Sequence, residues 1–259
     1  MNFNKTTLFP YLIYNRPFPY SNSITLYPVT MNDVVPFETF SPSILVPKNS
    51  LFHDKKIIRM SYLDFLTYSA GNLALEEEYK MPGLSEYYLY AIRLLQLCCP
   101  EAKIQLIPHS LQFSVNGKTI TPEIFEDIRR IIIIQNDIDF DPDEFINNDT
   151  KQRLLHAQKA LSKDTPRATI EDYIDSLVIA MNCTEEQIMQ MTVRKFWRYI
   201  RRYQLHEGYT LAKTGECSGM VTYKEPIRHW MVSLDHEDKF KDFKTDENSL
   251  RGKIHSANN

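Results

Sequence analysis

The sequence predicts a mainly α-helical, α+β protein: a helical bundle with a small β component. Thr169 and Thr184 each precede an acidic residue or glutamine by three positions and open an amphipathic run. Asn116-Gly117 lies between apolar runs, and the segment ITLYPVT (24–30) alternates apolar and polar side chains. These patterns are typical of helix starts, of a tight hairpin turn and of a β-strand, respectively.

Composition narrows the class of protein. The chain has 259 residues, of which 43% are hydrophobic and 24% charged, and its net charge is −3. This length permits a substantial apolar core. The acidic balance argues against a protein that coats DNA, because neutralising phosphates requires a basic surplus. No run of 18 apolar residues is present, so we expect no membrane span. The four cysteines suggest buried, reduced thiols in a cytosolic protein.

The sequence divides into four segments. Residues 1–58 are predicted to form an extended, proline-rich arm with edge strands, since proline interrupts helices. Residues 59–166 are predicted to contain helices and the hairpin. Residues 167–233 are predicted to form a compact helical module that ends in an aromatic segment. Residues 234–259 form a charged tail that is too poor in large apolar side chains to fold alone.

Helix-start signals occur in the second segment. Ser61 followed by Asp64 predicts one helix that runs through SYLDFLTYSAGNLALEEE. Ser85 is the predicted cap of the next helix. Thr121 before Pro122 predicts a third, because threonine caps helices well and proline suits the first helical position.

The helix that follows Thr192 is predicted to be amphipathic. Its expected packed face contains Val193, Phe196, Trp197, Ile200 and Tyr203. We expect Trp197 to be buried against Ile174, Val178 or Met181. The opposite face is basic and contains Arg194, Lys195, Arg198, Arg201 and Arg202. Three interpretations of this basic face stay open: a solvated face, a site for an acidic protein partner, and a helix-turn-helix-like DNA-binding pair at 184–203.

Catalytic and metal-binding signals are weak. The sequence contains no nucleophile elbow, no zinc-protease motif and no phosphate-binding loop. Its acidic stretch 136–145 departs from a calcium loop, because Pro142 and Asn148 occupy the positions that need glycine and glutamate. We therefore expect no catalytic residues, no metal and no cofactor, and a protein that is not an enzyme.

The order of segments resembles that of the tail assembly chaperones and tail-assembly proteins of tailed bacteriophages of Gram-positive hosts. The resemblance rests on ITLYPVT, on the stretch TIEDYIDSLVIAMNCTEEQIMQMTVRKFWRYIRRYQL, and on the closing GMVTYKEPIRHWM. It covers about half of the chain, and its motifs are patterns of residue types rather than catalytic residues.

The resemblance implies a non-enzymatic viral protein that binds the tape-measure protein or another tail component, with homo-oligomers as a further expectation. Met189 and Met191 are candidate partner contacts together with the basic face, because flexible thioethers suit adaptable surfaces. The alternatives are a structural tail or baseplate component of the virion and a DNA-binding regulator. We expect neither a membrane nor nucleic acid as a partner of the chaperone.

Overall fold

The computed structural model describes residues 3–107, 110–140, 142, 168–219, 221–223 and 225–234. Within these residues the fold is mainly α-helical with two small antiparallel sheets, which confirms the predicted class. Residues 143–166 of the second predicted segment and the charged tail beyond residue 234 lie outside the described residues. None of the described helices is long and apolar enough to cross a membrane.

The chain divides into two units. The first combines 1–148 with 168–197, and the second combines 149–167 with 198–259. The predicted boundaries at 58, 166 and 233 stay a prediction.

Most of the described secondary structure belongs to the first unit. Its helices are α1 Lys5–Ile13, α2 Val34–Phe40, α3 Lys48–Leu51, α4 Lys55–Arg59, α5 Tyr62–Ser69, α6 Leu73–Tyr79, α7 Tyr87–Cys98, α8 Pro122–Gln135, α9 Ile170–Met181 and α10 Glu185–Met189. One hairpin pairs β1 Phe18–Ser21 with β2 Ile24–Leu26, and a second sheet has the order β3 Ile104–Leu106, β4 Phe113–Val115, β5 Lys118–Thr119. The last helix, α11, spans Val193–Cys217 and contains the boundary between the units.

The strands predicted in the N-terminal segment are present, because β1 and β2 form a hairpin. The segment is not an extended arm throughout, since it also contains helices and buried core residues. Of the strand predicted over ITLYPVT (24–30), residues 24–26 form β2, and the helix α1 contains Pro10 in its interior. Leu8, Ile24 and Leu26 have no exposed surface. An interior proline removes one helical hydrogen bond. Burial of the apolar side of α1 offsets the loss of this hydrogen bond. Local sequence rules cannot predict that burial.

The residues after β2 run through the interior of the first unit. Tyr27 donates its backbone N–H to the carbonyl of Cys98 at the end of α7, over 2.7 Å. Val29 donates to the side-chain oxygen of Asn136 beside α8, over 2.9 Å. These bonds satisfy the backbone of a buried non-helical segment, which would otherwise be costly. The ITLYPVT segment therefore connects several helices to one another.

Two helix predictions in the second segment need correction. Ser61 caps α5 as predicted, because its hydroxyl accepts the N–H of Asp64 at 3.0 Å. The helix then ends before Gly71, whose φ of 69° is left-handed, and α6 begins separately. Ser85 does not cap α7; its hydroxyl donates to Glu76 over 2.7 Å.

The hairpin and the start of α8 are confirmed. Asn116 and Gly117 adopt φ angles of 49° and 79°, which the tight turn between β4 and β5 requires. Thr121 accepts the N–H of Ile124 over 3.4 Å, and Pro122 occupies the first position of α8. Local chemistry is sufficient to specify both features.

Candidate protein-binding surface

The corner between α9 and α10 forms as the sequence predicts. The Thr169 hydroxyl accepts the N–H of Asp172 at 3.2 Å, and the hydroxyl of Thr184 accepts that of Gln187 at 3.3 Å. Asp172 and Gln187 in turn accept the N–H groups of the two threonines, so both capping boxes are complete. Asn182, with φ of 49°, ends α9 in the left-handed conformation that asparagine tolerates.

The start of α11 is covered by residues from the N-terminal part of the first unit. Val193 donates its N–H to the carbonyl of Val29 over 2.9 Å, and Met31 donates to the carbonyl of Met191 over 2.8 Å. A DNA recognition helix must expose its first residues to the base edges in the major groove. The geometry of α11 is unlike that arrangement, because Val193 is buried and its backbone is already bonded.

The predicted partner-binding residues do not form one exposed surface in either unit. In the first unit, Arg194 is half-buried and donates to the carbonyl of Leu12 over 3.3 Å. Lys195, Met189 and Met191 are also half-buried. Their contact with a partner stays a prediction.

In the second unit, the basic residues Arg198, Arg201 and Arg202 are half-buried as well. Arg202 donates to the backbone carbonyls of Trp230 and of Val232, the latter over 3.0 Å. The Trp230 ring packs edge-on against His206 with ring centroids 5.0 Å apart. Arg202 therefore ties α11 to the segment that follows it. The local sequence pattern does not reveal this role of Arg202, because the two acceptor carbonyls lie 28 and 30 residues further along the chain.

The packed face of α11 is narrower than predicted, because Tyr203 is exposed and Trp197 is only half-buried. Val193, Phe196 and Ile200 are buried, with Phe196 fully so. Trp197 is half-buried and meets Tyr173 edge-on at 5.2 Å, so its burial is partial and this ring contact is with a residue other than the three predicted. Phe196 and Trp197 flank the line from 193 to 200 at helical spacing, and only the Phe196 side is fully covered.

The helix α9 has one packed side and one exposed side. Ile174 and Leu177 are buried in the first unit. Ile179 is 81% exposed and Met181 is 42% exposed at the C-terminal end of the same helix. We call Ile179 and Met181 the apolar spot. Ile179 lies off the packed line of α9, whereas Met181 continues the line of Ile174 and Leu177 and is exposed at the end of the helix.

Carboxylates accompany the apolar spot. The exposed acidic residues on α9 and α10 are Glu171, Asp172, Asp175, Glu185 and Glu186. Glu171 and Asp175 precede Ile179 by two helical turns and one turn, so the three share a face. Hydrogen bonds from the Thr169 hydroxyl and N–H lower the pKa of Asp172 and keep its carboxylate charged. An apolar centre with a charged surround is an arrangement that protein interfaces use.

The described residues contain no group of three or more His, Cys, Asp or Glu side chains arranged to hold a metal ion.

Comparison with known proteins gives a match to a family model over part of the chain. Residues 160–235 match the YomV second domain, a phage-associated family of the kind found in the Bacillus phage SPbeta. This match supports the phage association that the resemblance implies, and it does not extend to a role in tail assembly. No curated protein and no solved structure matches the chain. The matched segment includes all of α9, α10 and α11, and hence the apolar spot.

Proposed function

We propose that this chain is a non-enzymatic bacteriophage tail-assembly protein that acts as a chaperone for the tape-measure protein. The observation that carries the proposal is the apolar spot of Ile179 and Met181, exposed among carboxylates within the segment that matches a phage-associated family. An assembly chaperone needs such a surface, because it must hold the apolar side of a client until the client reaches its final partner.

The chemistry of the surface defines the client segment. The apolar spot suits the apolar face of an amphipathic helix, which docks through side chains spaced three and four residues apart. The carboxylates of Glu171, Asp175 and Glu185 favour lysine or arginine at the edges of that face. Burying an exposed isoleucine side chain contributes about 1.5–3 kcal/mol, so Ile179 can dominate a small contact. Opposite charges at the rim chiefly speed association and set orientation.

The proposal is tested by titrating segments of the tape-measure protein into the full chain and into Ile179→Asp. We expect Ile179→Asp to weaken binding at least about tenfold, which corresponds to about 1.4 kcal/mol. Leu73→Asp is the matched control, because Leu73 is 64% exposed on a different helix of the same unit. Both changes lie at exposed positions, so the melting temperature should stay close to that of the wild type.

Two results would contradict the proposal. One is equal affinity of the wild type and Ile179→Asp for the client. The other is the absence of binding between the wild type and every tape-measure segment at micromolar concentrations, with the protein shown to be folded.

A further inference from the structure

A cavity of about 540 Å³ lies in the first unit, where the N-terminal half of α8 approaches residues 46–62. It is separate from the apolar spot. Its lining contains apolar side chains, among them Val46, Ile58, Met60 and Phe140. Its charged lining residues are Lys48, Glu123, Glu126, Asp127, Arg129 and Arg130. A pocket with apolar walls and a few charged groups has the general character of a ligand site.

The guanidinium of Arg129 is the most buried charge in this lining. Arg129 is 4% exposed. Its Nε donates to the carbonyl of Ile44 over 2.7 Å, and its Nη1 donates to both carboxylate oxygens of Glu126, over 3.1 and 3.3 Å. The guanidinium carbon lies 3.7 Å from the ring centroid of Tyr62. Among the described residues Nη2 has no hydrogen-bond acceptor, so this nitrogen is left for a ligand.

Lys48 supplies a second hydrogen-bond donor that is available to a ligand. Its ammonium group donates to the carbonyls of Ile58, over 3.1 Å, and of Met60. An ammonium has three N–H donors, so one is left over. Burial, and then the positive charge of Arg129, lower the pKa of Lys48. Lys48 and Arg129 line the same cavity, and an anion placed between them would relieve the repulsion between the two cations.

The acidic residues of the lining do not supply this anion. Glu126 is shared by Arg129 and Arg130, the latter at 3.4 Å. Asp127 accepts the hydroxyl of Tyr20 over 3.0 Å. Glu123 is exposed in the first turn of α8, where Thr121 and its own N–H hold it. The lining thus has three cations and three carboxylates, and within the described residues none of these carboxylates is hydrogen-bonded to Lys48 or to Nη2 of Arg129.

We propose that this cavity binds a carboxylate carried by a protein partner, with the carboxylate between Lys48 and Arg129. A planar guanidinium pairs well with a carboxylate, and the lysine adds a compact second charge. The apolar walls favour a glutamate or aspartate flanked by apolar side chains over a free small anion. Inorganic phosphate is also an anion but lacks the flanking apolar contacts, so the two sources are separable by experiment.

The test uses the full chain and three probes: an acetylated Leu-Glu-Leu amide peptide, the same peptide with glutamine in place of glutamate, and inorganic phosphate. Binding is followed through the Nε–H signal of Arg129 in nitrogen-15 NMR spectra. The glutamate peptide should shift this signal saturably, and the glutamine peptide should bind at least about tenfold more weakly, because it lacks the charge. Phosphate should bind more weakly than the glutamate peptide.

Lys48→Met keeps most of the lysine stem and should weaken binding of the glutamate peptide at least about tenfold, through loss of one charge. Lys55→Met, at an exposed position outside the cavity lining, is the control and should bind as the wild type does. The dispersion of the backbone NMR spectrum shows whether each variant is folded.

Four results would overturn the proposal. The first two are that the glutamate peptide gives no saturable shift and that the glutamine peptide binds equally well. The other two are that phosphate binds more tightly than the glutamate peptide and that Lys55→Met weakens binding as much as a folded Lys48→Met does.

Discussion

Replacing Phe196 by alanine should destabilise the first unit far more than replacing Trp197, although tryptophan is the larger residue. Phe196 has no exposed surface, whereas Trp197 is half-buried at the edge of the packed face. Truncating a fully buried phenylalanine costs about 3–5 kcal/mol, because apolar burial is lost and a cavity remains. Trp197 loses part of its burial and its edge-on contact with Tyr173, which together amount to roughly 1–3 kcal/mol.

The assay is equilibrium unfolding in urea, followed by the circular dichroism of the helices. Phe196→Ala should lower the free energy of unfolding by at least about 1 kcal/mol more than Trp197→Ala does, with the slope against urea unchanged. In a Trp230→Phe background, the emission of Trp197 should lie between the values for buried and fully exposed indole. An equal or larger cost for Trp197→Ala would refute the account of which side of α11 packs.

Three further predictions address other parts of the chain. Burial raises the pKa of Tyr62 to about 12, so the neutral tyrosine stabilises the fold below pH 10 and this contribution is lost as the pH rises toward 12. The loss in the free energy of unfolding is on the order of 2–3 kcal/mol, and it should be smaller in Tyr62→Phe when unfolding is measured across that pH range. Gly208→Ala should raise stability by about 0.5–1 kcal/mol in thermal unfolding, because Gly208 lies inside α11 and an added methyl group meets nothing within 4 Å. A thiol reagent should label the exposed Cys217 rapidly, whereas the buried Cys98 and Cys99, whose thiol pKa values burial raises, should react only after unfolding.

Features set by a few neighbouring residues could be predicted from the sequence. The caps at Thr121, Thr169 and Thr184 and the turn at Asn116-Gly117 all form as expected. In each case a short side chain or a left-handed φ decides the backbone locally, and tertiary packing does not oppose it.

Features that depend on packing could not be predicted. Pro10 lies inside α1 because burial of the helix outweighs the missing hydrogen bond. The helix α11 continues past Gly208 to Cys217, although glycine is a poor helix former. Helix propensity is a weak preference that tertiary contacts override.

The candidate surface was only partly visible in the sequence. Helical spacing predicts an apolar and a basic side of α11, and Val193 and Phe196 are buried accordingly. The bonds from Arg202 to the chain near Trp230 join residues far apart in sequence, so periodicity cannot reveal them. Ile179 does carry a local signal, because it lies off the line of buried positions on α9.

The account's central claim is that the apolar spot on α9 contacts the tape-measure protein. The most direct measurement replaces Ile179 by photoreactive p-benzoylphenylalanine in cells that also produce the tape-measure protein, with the same replacement at Leu73 as the control. After irradiation, mass spectrometry should identify a crosslink to the tape-measure protein from position 179 and not from position 73. No such crosslink, or equal crosslinking from both positions, would contradict the claim.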